Sequence, residues 1–289
     1  MTSANTTNDR IVEDAVATAA GDERRPLIDS DVDDHRKQGH WLLASLGKTV
    51  LRPGGLAMTK ALLDHAALAA GETIVEFGPG VGKTAQYLLA TSPAKYYGID
   101  PNAEGVGRLA DVLEAHPGVD ATVVRADARH TGLPDACADV VVGEAMLTMM
   151  PDDAKLETMK EAARLLAPGG RYAVHELGLK PDDIDPSVAG ELCRDLSRTI
   201  KVGARPLTMR QWKRLMEQAG FDVMFEHVNA MALLEPARML EDEGAAGVAR
   251  IARNLAVNAE ARRRVTAMRS VFRQHADHLC AVGLVGVRR

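Results

Sequence analysis

Residues 76–82 read Glu-Phe-Gly-Pro-Gly-Val-Gly, between the apolar run ETIV and the helix-like run KTAQYLLA. Closely spaced glycines let a backbone turn tightly and pass close beneath a ligand. A helix that starts just after such a turn offers amide donors to an anionic group. Acidic residues recur downstream at Asp100, Asp127, Glu144 and Glu176, the last beside His175. A carboxylate can accept from vicinal hydroxyls or from an amine in charge-assisted hydrogen bonds. An imidazole titrates near neutrality and can serve as a base. These types in this order suggest a nucleotide-like ligand held next to a titratable group.

Three loop patterns compete for the glycine run. A phosphate-gripping loop, G-x-x-x-x-G-K-[ST], would use Gly82-Lys83-Thr84 but would need its first glycine where Phe77 stands. A dinucleotide loop, G-x-G-x-x-G, fits Gly78 and Gly80 but meets Lys83 where the third glycine must allow close helix packing. The pattern acidic-x-G-x-G-x-G matches at every position, with Glu76, Gly78, Gly80 and Gly82.

This third pattern resembles the first motif of the class I S-adenosylmethionine-dependent methyltransferases, in particular the ubiquinone/menaquinone-like small-molecule group. The resemblance extends from residue 72 to about residue 177. It implies S-adenosyl-L-methionine as cofactor, with Glu76 helping to hold its methionyl end. Asp100, at the end of the second strand, would accept from the ribose hydroxyls, with Asn102 as a neighbour of the adenosine. Asp127 in "RADAR" would accept from the adenine amine, and Ala128 would flank the ring. Gly143 and Glu144 would lie at the carboxyl edge of the sheet, where open α/β folds collect ligands. Methyl transfer is an in-line displacement in which the protein mainly aligns the reactants, an effect worth about 7–11 kcal/mol. A general base is needed only for a protonated nucleophile. His175, Glu144 and Glu176 are the candidates, each with the alternative of being a satisfied polar residue at the sheet edge. His40 and Trp41 precede the core as candidates for a lid, together with "GKTVLRPGG", and Met146 is one of several methionines that could line a pocket.

The elements that must position these residues alternate between strands and helices. "ETIVEF", "KYYGID", "DATVVRAD", "ADVVVG" and "RYAVHEL" read as strands, and helical runs separate several of them. "DDAKLETMKEAARLLAPGG" reads as a helix with Leu156, Met159, Ala163 and Leu166 on one face. Thr208 is an expected N-cap for a helix that Gly220 ends, before the strand "FDVMFEHV". A helical stretch over 236–277 leads to a last strand, "LCAVGLVGV". The expected fold is α/β and Rossmann-like, with a mostly parallel seven-stranded sheet and helices on both faces. In the family it resembles, the last strand runs antiparallel between the fifth and sixth. The expected divisions are a flexible polar segment over 1–34, a helical cap over 35–70 and the cofactor-binding domain over 71–289, with its helical insertion at 236–277.

Composition narrows the partners. The net charge is −5, and the one dense basic run is Arg262-Arg263-Arg264. That argues against a nucleic-acid partner. Where similar families that methylate planar amino nitrogens carry N/D-P-P-Y/F, this chain has Gly143-Glu144-Ala145-Met146. Cys137, Cys193 and Cys280 stand in no ligand spacing, so no metal site is expected and a reducing cytoplasm fits best. No segment reaches the roughly 18 apolar residues of a membrane span. Aromatics make up only 3% of residues, so the core must rely on Ala, Val, Leu and Met. The expected partner is a small-molecule acceptor, and oligomeric state stays open, a homo-oligomer included. Two other functions share the pattern: a noncatalytic cofactor-binding sensor or assembly protein, and an NAD-dependent oxidoreductase.

Overall fold

The computed structural model describes residues 11–12 and 37–289. Seven main strands form one sheet: β1 (Thr73–Phe77), β2 (Lys95–Ile99), β3 (Asp120–Val124), β4 (Ala138–Glu144), β5 (Leu166–Leu179), β6 (Phe221–Ala230) and β7 (Leu279–Arg288). Their order across the sheet is β3-β2-β1-β4-β5-β7-β6. The first five run parallel, and β7 runs antiparallel to both β5 and β6. The expected α/β, Rossmann-like fold is therefore present, with its reversed last strand between the fifth and sixth. Two short strands extend it: Ile11–Val12 beside β3 and Leu207–Thr208 beside β5. Apart from Ile11–Val12, the segment 1–34 lies outside the described residues.

Strand character follows from burial on both faces. β4 and β7 are almost continuously buried, as their runs of Val, Ala and Gly require. β6 lies at an edge, where Phe221 is buried and the positions after it are half-buried or exposed. One face packs Val75, Phe77, Val141, Tyr172, Trp212 and Phe221. The other packs Met58, Leu62, Ile74, Tyr96, Val140 and Ala173. The few aromatics are concentrated inside: Trp212, Tyr96, Tyr172, Phe77 and Phe221 are among the largest fully buried side chains. The core is thus less purely aliphatic than composition suggests.

Nine α-helices are described: α1 (Gly39–Ser45), α2 (Gly55–His65), α3 (Lys83–Leu89), α4 (Ala103–Glu114), α5 (Asp152–Leu165), α6 (Pro186–Ile200), α7 (Met209–Gln218), α8 (Pro236–Val257) and α9 (Ala259–Gln274). Thr208 caps α7 in a reciprocal pair with Gln211. α5 ends at Leu165, shortly before the stop that the sequence pattern suggests at Pro168. Leu166 is extended and pairs with Ala138, and Pro168 keeps Ala167, the residue before it, out of the helical region as well. α6 falls in a stretch that carried no expected element, although Asp185 as N-cap and Pro186 at the first helical position are its start signals. The stretch 236–277 divides in two. α8 kinks at Gly244 (φ 67°), and Asn258 caps α9. Among the described residues, no helix is long and apolar enough to cross a membrane.

Candidate functional site

A cavity of about 310 Å³ opens at the carboxyl ends of β1 to β4. Its floor is the glycine run. Gly78 and Gly82 adopt φ of 63° and 74°, the left-handed region open to glycine. Gly82 caps α3, and a Cβ there would lie 2.7 Å from Val112 Cγ2. Gly78 and Gly80 line the cavity, whereas Gly82 sits behind it and lets α3 approach α4.

Asp100, Asn102, Asp127 and Ala128 also line this cavity. Asp100 follows β2, and its Oδ1 accepts from Asn102 N at 2.9 Å while Oδ2 accepts from Gly80 N at 3.2 Å. Burial raises its pKa above the ordinary range, although these amides pull the other way. Asp127 is gripped by Arg129, whose Nε and Nη2 donate to its two oxygens at 3.0 and 2.8 Å. Burial would raise the Asp127 pKa, but Arg129 outweighs it and the net shift is downward.

Two residues expected against the cofactor lie elsewhere. Glu76 does not line the cavity. It is 3% exposed, its Oε2 accepts from Tyr96 Oη at 2.6 Å, and burial pushes its pKa up to about 8 despite that bond. Gly143 lies inside the sheet against Tyr172.

The three candidate bases have different surroundings. Glu144 reaches the cavity from the end of β4, but its oxygens are surrounded by donors. Oε1 accepts from Thr59 Oγ1 at 2.6 Å and from His175 Nδ1 at 2.9 Å. Oε2 accepts from Thr84 Oγ1 at 2.5 Å and pairs with Arg52 Nη1 at 3.1 Å. Burial alone would raise its pKa, yet Arg52 and then His175 overcome that and hold it at about 2. Glu144 is therefore an ion that anchors its neighbours.

His175 is fully buried and does not line this cavity. Gly54 N donates to its Nε2 at 2.9 Å, so the ring proton sits on Nδ1 and goes to Glu144. Burial lowers its pKa, which keeps the ring neutral. With its lone pair already accepting from Gly54, it positions Glu144 and the turn before α2. Close approach demands glycine at 54, where a Cβ would meet the imidazole at 2.9 Å. Glu176 holds the loop after β4: its oxygens accept from the amides of Met146, Leu147 and Thr148 and from Thr148 Oγ1, at 2.6 to 3.0 Å.

The opposite wall comes from the segment before α2. His40, Trp41 and Met146 line the cavity, as do Thr49, Leu51 and Arg52. Arg52 is the residue that sequence reasoning missed, although it lies in the quoted "GKTVLRPGG". Its Nη1 contacts Thr84 Oγ1 and Glu144, while Nε and Nη2 are buried with no partner among the described residues. Glu243 of α8 holds this segment by accepting from Thr49 N and Val50 N, each at 2.9 Å, and from Thr49 Oγ1 at 2.8 Å. A smaller cavity of about 110 Å³ adjoins the first and shares His40, Leu51, Ala145 and Met149 with it.

Known proteins place this geometry. A methyltransferase-domain model matches residues 74–170. An uncharacterised protein of Haemophilus influenzae is 32% identical over 247 residues, covering 84% of this chain and 96% of the relative. The 27-O-demethylrifamycin SV methyltransferase of Amycolatopsis mediterranei is 25% identical over 197 residues, covering 68% of this chain and 70% of that one. A Haemonchus contortus phosphoethanolamine N-methyltransferase, solved with S-adenosyl-L-methionine, superposes with a TM-score of 0.63 at 17% identity, over 90% of this chain and 58% of that chain. The glycine turn, the strand order and these relatives agree: the chain belongs to the class I methyltransferases, whose cofactor is S-adenosyl-L-methionine.

Proposed function

We propose that this chain transfers a methyl group from S-adenosyl-L-methionine to a small-molecule acceptor. The observation that carries the reading is the Arg52 guanidinium at the wall of the cavity, whose buried Nε and Nη2 have no partner among the described residues. Two unpaired buried donors suit a carboxylate, such as the one on the methionyl end of the cofactor. At the strand ends, Asp100 suits the ribose hydroxyls and Asp127 keeps acceptor capacity for the adenine amine, with Asn102 and Ala128 beside them. Gly78 and Gly80 let the backbone run beneath the ligand. The bound cofactor supplies an activated methyl group. The chain's own residues bind, orient and exclude water.

In this reading Glu144, His175 and Glu176 are positioning residues. Glu144 fixes Arg52, His175 fixes Glu144, and Glu176 fixes the loop that carries Met146 and Met149 into the cavity wall. Glu76 acts from behind the cavity through Tyr96. The Amycolatopsis relative, a 27-O-demethylrifamycin SV methyltransferase, favours a small-molecule acceptor. Three free cysteines favour a reducing compartment, the cytoplasm.

Calorimetric titration of the full chain with S-adenosylhomocysteine and, separately, NAD tests the reading. Saturable binding of the first and none of the second is expected. Arg52→Met should weaken S-adenosylhomocysteine by about 1.5–3 kcal/mol, the size of a lost charged hydrogen bond. A folded chain that binds NAD and ignores S-adenosylhomocysteine would overturn it.

A further inference from the structure

The smaller cavity bears on the acceptor, and its assignment rests on the methyltransferase reading above. We propose that it takes the carbon skeleton of an uncharged, apolar hydroxyl compound, whose hydroxyl is held by the His40 imidazole where the two cavities meet.

The wall is apolar, with Leu43, Leu196, Ile200, Met231, Met268 and Phe272 contributing. Its volume is about 110 Å³. A cavity of roughly 150 Å³ with such a lining takes up benzene. Met231 and Met268 have adaptable side chains that can give way to a ring, and the open side lets a polar end project toward the cofactor.

A charged acceptor has no partner in this wall. Among the described residues, no lysine or arginine lines it. Its one acid, Glu176, already accepts from three backbone amides and the Thr148 hydroxyl. An ammonium or carboxylate would lose its water here without compensation.

The junction, by contrast, is built for a polar contact. Of the four residues shared by the cavities, His40 is the one with a polar side chain. Its ring lies 5.4 Å from Trp41 and makes no hydrogen bond among the described residues. Burial lowers its pKa to about 4, so the neutral ring has a lone pair to accept a hydroxyl proton in a hydrogen bond. Across from it, Ala145 holds a left-handed φ of 55°, fixed by its amide to His175 O at 2.7 Å and by Glu176 on the next three amides. A non-glycine residue keeps such a backbone only where its surroundings impose it, and such sites cluster at ligand clamps.

Calorimetry of the full chain saturated with S-adenosylhomocysteine, using 4-ethylphenol, ethylbenzene and tyramine, tests this. We expect saturable binding of 4-ethylphenol and binding of tyramine at least about tenfold weaker, given the cost of burying an unpaired charge. His40→Phe should weaken 4-ethylphenol about fivefold or more and leave ethylbenzene unchanged, as for one lost hydrogen bond. Ala204→Leu should weaken both neutral ligands and spare S-adenosylhomocysteine. Met231→Trp serves if that variant fails to fold. Absence of 4-ethylphenol binding, equal binding of tyramine, or indifference to His40→Phe overturns the proposal. Failure of the methyltransferase reading shows separately, as lost S-adenosylhomocysteine binding, and the neutral ligands can then be titrated into the chain alone.

Discussion

The two walls of the larger cavity are built in opposite ways. On the sheet side, Asp100 and Asp127 are each oriented by a residue two positions away, Asn102 and Arg129, and the longest reach is the bond from Gly80 to Asp100 across 20 positions. That wall is a series of strand–turn–helix units, each largely self-sufficient. On the other side, Arg52 is held by Thr84, 32 positions along, and by Glu144. His175 binds Gly54 across 121 positions, and Glu243 binds Thr49 across 194. The comparison teaches that the sheet wall depends on local turns, whereas the Arg52 wall exists only when the whole chain has folded. Substitutions in the sheet wall should change affinity alone. Substitutions behind the Arg52 wall should change affinity and stability together.

The sharpest way to break this contrast is Glu144→Gln. It strands Arg52 as a buried charge, and loss of one partner of such a pair costs about 3–5 kcal/mol of unfolding free energy. The folded carboxyl titrates at about 2, below its ordinary 4.5, so its stabilisation is present above 4.5 and fades as pH falls toward 2. The gap between native and variant chains in urea melts should therefore close on acidification. A gap below about 1 kcal/mol at pH 7 would put the pair among the near-neutral surface bridges and erase the contrast.

Glu76→Gln should go the other way. Here the folded carboxyl titrates near 8 and the unfolded one near 4.5. The native chain is most favoured below 4.5 and loses stability as pH rises to 8. A glutamine cannot ionise and can still accept from Tyr96, so the variant should gain about 3 kcal/mol at pH 7 and almost nothing at pH 4. Equal melts at both pH values would show that burial does not hold this proton.

The smallest effect is expected at Asp100→Ala: about 1.5–3 kcal/mol lost in S-adenosylhomocysteine affinity, the worth of charged hydrogen bonds. Its unfolding free energy should move by less than about 1 kcal/mol. A large destabilisation would make the sheet wall as dependent on tertiary contacts as the other.

Much of the fold was legible for a physical reason. Parallel strands buried on both faces write themselves as apolar runs such as ADVVVG, and Thr208 with Gln211 spells out a cap. The exit from α5 at Leu165 was readable from Pro168 but was masked by the continuing apolar periodicity through Leu166. Within the site, the glycine turn and the acids after β2 and β3 were visible because their spacing is set by one strand and one turn. The Arg52 wall was not, because a lone arginine before a Pro-Gly-Gly turn carries no mark of what it will face. His175 is a candidate base by its ordinary pKa, with a satisfied polar residue as the alternative, and only the fold shows that its lone pair is taken by Gly54.

By itself, then, the sequence determined the sheet, most of its helices and the glycine turn with its nearby acids, because hydrophobic periodicity and turn chemistry act over a few residues. Only the tertiary structure decided which charges meet. The Arg52–Glu144–His175 cluster joins segments from three regions of the chain, and its protonation and its unpaired donors arise from burial and neighbours that no local pattern encodes.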